Sequence, residues 1–215
     1  MTLNAYVTAV LGPRDPVLDG VLRRSLIEQN MPTIMIDDSS GRVLEMLIRV
    51  IRPRRVLEIG TLFGYSTIYL ARGLPDGAKV TTVDLNSEVV ALARRNFAAA
   101  GVDDRIESVV GDAAEYMAEI EDDSIDVIFI DGEKKSYPTY LEHAFRIVRP
   151  GGLLIADDAY AAGDYRSESD GDDDAQQRSG IHAYNAAVGR SPCLYSALLG
   201  TTNGMMVSVK QLIPR

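Results

Sequence analysis

Hydrophobic residues recur along this chain with two different periods. Val43, Leu44, Leu47, Ile48 and Ile51 follow helical spacing behind the capping run Asp37-Asp38-Ser39-Ser40, which predicts a helix with one buried face. Two more helices are predicted ahead of it, within Leu3–Val10 and Pro16–Asn30. From Val56 onward short apolar runs alternate with helical patterns. VLEI (56–59), KVTTVD (79–84), RIESVV (105–110), DVIFID (126–131) and GLLIAD (152–157) read as strands. Between them lie helices at Ser66–Leu74, at Ser87–Ala100, from Asp112 onward, and from Pro138 to Val148. Short strands separated by helices pair in parallel through right-handed crossovers, so the fold class is α/β with a doubly wound sheet.

The rhythm breaks at GDYRSESDGDDD (163–174), where six acids face one arginine and apolar residues are nearly missing. Such a segment cannot bury enough surface to order itself and is expected to be a mobile acidic lid loop. A helix is predicted from Ala175 to Val188, followed by CLYSALLG and GMMVSVK on either side of Thr201-Thr202-Asn203-Gly204. The Asn-Gly pair between two apolar runs predicts an antiparallel hairpin closing the sheet edge. The 215 residues carry no internal repeat and read as one domain.

Charge narrows the partners. A net charge of -9 and a pI near 4.7 argue against a broad nucleic-acid surface, which needs clustered Lys and Arg. The short basic patch Arg52, Arg54 and Arg55 reads as a solvated helix end. No basic leader precedes an apolar stretch, and no run approaches the roughly 18 apolar residues of a membrane span. The single cysteine, Cys193, is expected to be a buried structural thiol in a reducing, cytoplasmic compartment. His143 and His182 fall on predicted helices and are assigned to structure or surface.

In a doubly wound sheet, ligands sit beyond the carboxyl ends of the strands, which directs attention to the first strand-to-helix turn, EIGTLFGYS (Glu58–Ser66). A dinucleotide fingerprint needs a glycine two residues after the first. Leu62 stands there and Tyr65 takes the third glycine position, which excludes a pyrophosphate and with it a nicotinamide oxidoreductase. Gly60 and Gly64 still allow a tight turn, and Asp84 ends the second strand where it can accept hydrogen bonds from both ribose hydroxyls. An adenosine without phosphates suits that pairing.

The fourth and fifth strands end in Asp131 and in Asp157-Asp158. Neighbouring parallel strands lie about 5 Å apart, so these carboxylates can converge. Alone they would repel; a hard divalent cation would use them as oxygen ligands. Lys134, on the loop after Asp131, would overhang that cation, and nearby positive charge with partial burial would draw its pKa toward roughly 7 to 8, where it can act as a base. Lys135 is expected to be plainly solvated.

The set VLEIGTLFGYS, VTTVD, VVGDA, FIDGEKKSY and LLIADD resembles the class I S-adenosylmethionine-dependent O-methyltransferases, and most closely their cation-dependent catechol and caffeoyl-coenzyme A branch, from about Ile34 to Asp158. The resemblance implies a Rossmann-like methyltransferase fold, a seven-stranded, mostly parallel sheet with an antiparallel C-terminal hairpin. It implies a cofactor site of Ile36, Glu58, Gly60, Leu62, Ser66, Asp84, Leu85, Gly111, Asp112, Ala113 and Asp131. By the same likeness Asp131, Asp157 and Asp158 hold Mg2+ or another divalent cation such as Mn2+ or Ca2+, with Lys134 as catalytic base and Asp131 beside it. The acceptor would be a small catechol-like or vicinally hydroxylated metabolite, and the N-terminal helices (1–52) would pack on the sheet or on the partner of a homodimer. The chain departs from the family at Asp158, where asparagine is usual, and at Gly132-Glu133. Two other functions stay open at this point: a metal-independent small-molecule methyltransferase, and an S-adenosylmethionine-binding protein that no longer methylates.

Overall fold

The computed structural model describes residues 6, 9–161 and 173–212. The predicted helix within Leu3–Val10 falls mostly on residues outside that set, as does the acidic stretch 163–172. Seven strands form one sheet: β1 (Arg55–Ile59), β2 (Lys79–Asp84), β3 (Ile106–Val110), β4 (Ile125–Ile130), β5 (Val148–Ala156), β6 (Leu194–Leu199) and β7 (Met205–Lys210). Their order is β3-β2-β1-β4-β5-β7-β6. The first five pair in parallel, and β7 runs antiparallel between β5 and β6. The helices are α1 (Pro16–Leu22), α2 (Asp38–Ile51), α3 (Tyr65–Gly73), α4 (Ser87–Ala100), α5 (Ala113–Ala118), α6 (Tyr137–Ile147) and α7 (Asp173–Arg190).

Strand side chains alternate between two apolar layers. Val56, Val80, Val127, Phe129 and Ile155 pack with Leu44 and Ile48 of α2, Ile68 of α3 and Phe97 of α4. Leu57, Ile59, Ile128, Ile130 and Leu154 pack on the other face with Met117 of α5, Tyr137 and Ile147 of α6, and Tyr184 of α7. The α2 cap forms as its sequence predicts, Asp37 Oδ1 accepting from the amides of Ser39 and Ser40 at 2.7 and 3.1 Å. Among the described residues no helix is long and apolar enough to cross a membrane.

Four local expectations change. The helix predicted over Pro16–Asn30 widens into a π-turn at Arg23–Glu28, which lets Arg24 donate to Asn96 Oδ1 at 2.7 Å and buried Ser25 accept from Asn96 Nδ2 at 3.1 Å. Asp173 and Asp174, expected in the acidic lid, open α7 instead, where carboxylates suit the positive end of a helix. The C-terminal strands are joined by the longer loop 200–204 rather than a two-residue Asn-Gly turn: only Gly204 has positive φ there, and its ring neighbour Tyr160 would sit 2.6 Å from a Cβ. Cys193 is half-buried rather than fully buried as expected.

Candidate functional site

The strand order reverses beside β1: β2 lies on one side and β4 on the other. The chain leaving β1 must therefore turn within reach of the end of β4. Gly60 makes this turn at φ +93°, and a Cβ on it would stand 2.5 Å from the carbonyl oxygen of Asp131. Only glycine satisfies both the backbone angle and the close approach. Gly64, at φ +83°, meets the ring of Phe97 in the same way and opens α3.

Asp84 braces this turn. Its Oδ2 accepts from the amides of Thr61 and Leu62 at 3.0 and 3.1 Å, and its Oδ1 accepts from the amide of Asn86 at 3.0 Å. The carboxylate is half-buried and held in one orientation beside the cavity. Asp112 caps α5 through the amide of Glu115 at 2.9 Å. Glu58 lies beneath the turn, fully buried and on the face opposite Leu57. Ser66 and Thr82 donate to it at 2.6 and 2.7 Å, and Thr67 donates as well. Burial pushes the Glu58 carboxyl up to about 7 despite these three donors, with the charge of Asp131 adding to the rise.

Two adjoining cavities open above the strand ends, of about 470 and 290 Å³, and share Gly60, Asp84, Gly132 and Glu133. The larger takes in Ile36, Leu62, Ser66, Asp131, Lys134 and Asp158. The smaller takes in Leu85, Gly111, Asp112 and Ala113. Every residue expected around a cofactor thus lines one cavity or the other, except Glu58, which supports the turn from below. Gln177 and Tyr140 line these cavities although the sequence pointed to neither, and Tyr65, which the sequence marked only as a missing glycine, lines the larger one. Tyr65 sits inside the quoted glycine turn and stacks edge-on with Tyr69 at 5.5 Å. Gln177 comes from α7, and no local pattern links it to the strand ends.

At the larger cavity Asp131, Asp157 and Asp158 offer carboxylate oxygens that all lie within 4.8 Å of one another. Lys134 Nζ reaches Asp131 Oδ1 at 2.6 Å and Asp158 Oδ2 at 2.9 Å. It also lies 5.3 Å from the centre of the Tyr137 ring, whose hydroxyl donates to the carbonyl of Ile130 at 3.1 Å. Asp158 adopts positive φ, 56°, which turns its carboxylate toward the lysine. Asp157 is 3% exposed, and its buried Oδ1 has no hydrogen-bond partner. Burial, then the charges of Asp131 and Asp158, push its carboxyl up to about 8. Burial also raises Asp131, against the opposing pull of Lys134.

The lysine departs from expectation. Burial disfavours its ammonium, but the carboxylate of Asp131, the Tyr137 ring oxygen and Asp158 together outweigh that, and its pKa stands well above the ordinary value. The depressed value expected beside a cation assumed that the carboxylates were already neutralised; with protein groups alone they hold the proton on Lys134. Lys135 is not simply solvated either: Nζ pairs with Glu133 at 2.7 Å, and its amide donates to Gln177 Oε1 at 3.0 Å.

The donor set fits a hard divalent cation. It consists of oxygens only, one is buried and unpartnered, and three carboxylates face a single ammonium.

The O-methyltransferase family matches this chain over residues 13–211. A catechol O-methyltransferase of Niastella koreensis is 30% identical over 213 residues, covering 98% of this chain and 92% of its own length. A catechol O-methyltransferase of Mycobacterium tuberculosis is 36% identical over 168 residues, 78% of this chain and 76% of its own length. The solved O-methyltransferase from Bacillus cereus in complex with SAH superposes with a TM-score of 0.87 at 31% identity, covering 97% of each chain. The family match and the shared sheet run over the same residues, and the chain belongs to the S-adenosylmethionine-dependent O-methyltransferase family.

Proposed function

We propose that this enzyme is a divalent-cation-dependent O-methyltransferase acting on a small catechol-like or vicinally hydroxylated molecule. The observation that carries the reading is the convergence of Asp131 and Asp158, which line the larger cavity, with buried Asp157, whose carboxylate oxygen is left without a partner. Those three residues would hold the cation. Bound there, Mg2+ or a similar ion would lower the pKa of an acceptor hydroxyl and fix the oxygen's position. The cavity lining would hold S-adenosylmethionine, which would supply a sulfonium methyl group for the acceptor oxygen, with S-adenosylhomocysteine as the other product.

The chain's own residues do the rest. Gly60, Leu62 and Ser66 would border the methionine part of the cofactor, Asp84 the ribose, and Leu85 with Gly111–Ala113 the adenine. Ile36, from the preceding loop, would help border the methionine part. Lys134 Nζ would accept the acceptor's proton. The charge that keeps Lys134 protonated is the charge that would be spent on a cation, so cation uptake and lysine deprotonation are linked. This linkage disfavours the metal-independent alternative, in which Lys134 would stay clamped between two carboxylates and serve poorly as a base.

The test is incubation with S-adenosylmethionine and a panel of catechols, followed by mass spectrometry. One methyl group should be added, EDTA should stop the reaction, and Asp131→Asn should abolish it. Methylation indifferent to EDTA rejects the cation; cofactor binding without any methyl transfer favours a non-methylating binding protein.

A further inference from the structure

The turn that carries Lys134 is only a short 3-10 segment, Lys134–Ser136, between the end of β4 and α6. It has no side-chain cap at its start. A helix that enters the chain far downstream is seated directly on it. Along α7, residues 173, 177, 180 and 184 recur with spacings of four, three and four, which puts them on one face. All four meet the lysine turn or the residue after it. Asp173 stands 3.7 Å from Lys135 Nζ. Gln177 Oε1 accepts from the Lys135 amide at 3.0 Å. Gly180 packs so closely that a Cβ would fall 2.2 Å from the carbonyl oxygen of Lys134 and 2.8 Å from Lys135 Cα. Tyr184, fully buried, meets the Tyr137 ring edge-on at 5.6 Å.

We infer that α7 positions Lys134 and that Gly180 and Gln177 are the positioning residues. The inference rests on the reading of Lys134 as the base. Glycine costs a helix interior about 1 kcal/mol relative to alanine, so its use at 180 needs a reason, and the backbone of the lysine turn supplies one. The contact is with backbone rather than with a flexible side-chain end, so a methyl group cannot be accommodated by a rotamer change. It must push the turn away from the helix by about 1 Å, which is the scale of displacement that costs about a hundredfold in rate when it misplaces a reacting group. Gln177 adds the hydrogen bond that fixes the turn along the helix axis, and it lines the larger cavity beside Lys134 and Asp158. Lys135 lines neither cavity, so the bond from its amide acts on the lysine turn rather than on a bound molecule.

Gly180→Ala and Gln177→Ala, each with Mg2+ and a catechol acceptor, test this. Both variants should lower kcat, by about ten- to a hundredfold for Gly180→Ala, while the KM for S-adenosylmethionine and the calorimetric affinity for SAH stay at the parental values. In a Lys134→Ala background, followed by single-turnover mass spectrometry, Gly180→Ala should bring no further loss, because both act through one group. Retained SAH affinity certifies folding; if Gly180→Ala does not fold, Gln177→Ala carries the test on its own. Parental kcat in the folded variants, or an equal loss with and without Lys134, overturns the positioning role. A Lys134→Ala enzyme as fast as the parent overturns the base assignment instead.

Discussion

Asp126 and Asp131 stand at the two ends of β4 and live under opposite conditions. At the start of the strand, Asp126 Oδ2 accepts from the amides of Arg54 and Arg55 at 2.8 and 2.9 Å, and Oδ1 accepts from Arg149 Nε at 2.5 Å. Burial works against the charge, but the Arg149 bond and these two amides prevail, holding the carboxyl below its ordinary range. At the far end Asp131 has Lys134 as its partner and Asp158 as a repelling neighbour, and burial raises it. Asp157 on the next strand is pushed up to about 8 with an oxygen unpartnered. The same residue type on the same sheet is cement where the fold supplies donors and, in the function proposed above, a cation site where it withholds them. A carboxylate left short of partners costs stability that the fold tolerates only for what it binds.

The comparison breaks most visibly in activity. Lys134→Ala should lower kcat by about 10²–10⁴-fold, and Asp131→Asn should leave only background methylation, whereas Asp126→Asn should keep the parental kcat in the same steady-state assay. Equal losses at both ends of β4 would erase the distinction.

Stability against pH is the next effect. Glu58 has a folded value of about 7 against an ordinary 4.5, so between those pH values the native state holds a proton that the unfolded chain has released. Stability therefore falls as pH rises through that window, by on the order of 3 kcal/mol. Asp157 acts with the same sign from its ordinary 3.8 up to about 8. Asp126, held low, has the opposite sign: its contribution is complete above its ordinary value and is lost as pH falls through the lowered one. Urea titrations in EDTA should thus give a lower unfolding free energy at pH 8 than at pH 5, and Glu58→Gln should flatten part of the slope. A rising curve over that range would show that Glu58 is charged and satisfied in the native state.

Smaller still are the single-residue costs. Asp126→Asn should cost about 1–3 kcal/mol, because the backbone amides and Arg149 lose a charged acceptor. Asp157→Asn, measured without cation at pH 8, should cost nothing or bring a slight gain by removing a repelled charge. A loss at Asp157 matching that at Asp126 would mean that its carboxylate is satisfied after all.

Much of this was legible in the chain. The five parallel strands are written as apolar runs, and the cofactor turn follows from the positions of Gly60, Gly64 and Asp84 relative to strand ends. Asp131, Asp157 and Asp158 could be brought together on paper because β4 and β5 are neighbours in a parallel register. What stayed hidden depends on contacts distant in sequence. That β7 inserts between β5 and β6 is decided by pairing, which hydrophobic spacing does not encode. Glu58 belongs to the turn motif, yet strand alternation turns it down into the core, where Ser66, Thr67 and Thr82 receive it. Gln177 and Gly180 join the site only because α7 folds back across the sheet onto the Lys134 turn. The direction of the Lys134 shift could not be read at all without knowing which charges reach it first.

The central claim is that the acids beyond β4 and β5 are left unsatisfied for a divalent ion. Calorimetric titration of Mg2+ into chelator-stripped protein addresses it directly, with Asp126→Asn and Asp157→Asn alongside the parent. The account predicts one saturable site in the parent and in Asp126→Asn, and none in Asp157→Asn. Undiminished binding by Asp157→Asn, or no binding by the parent, contradicts it.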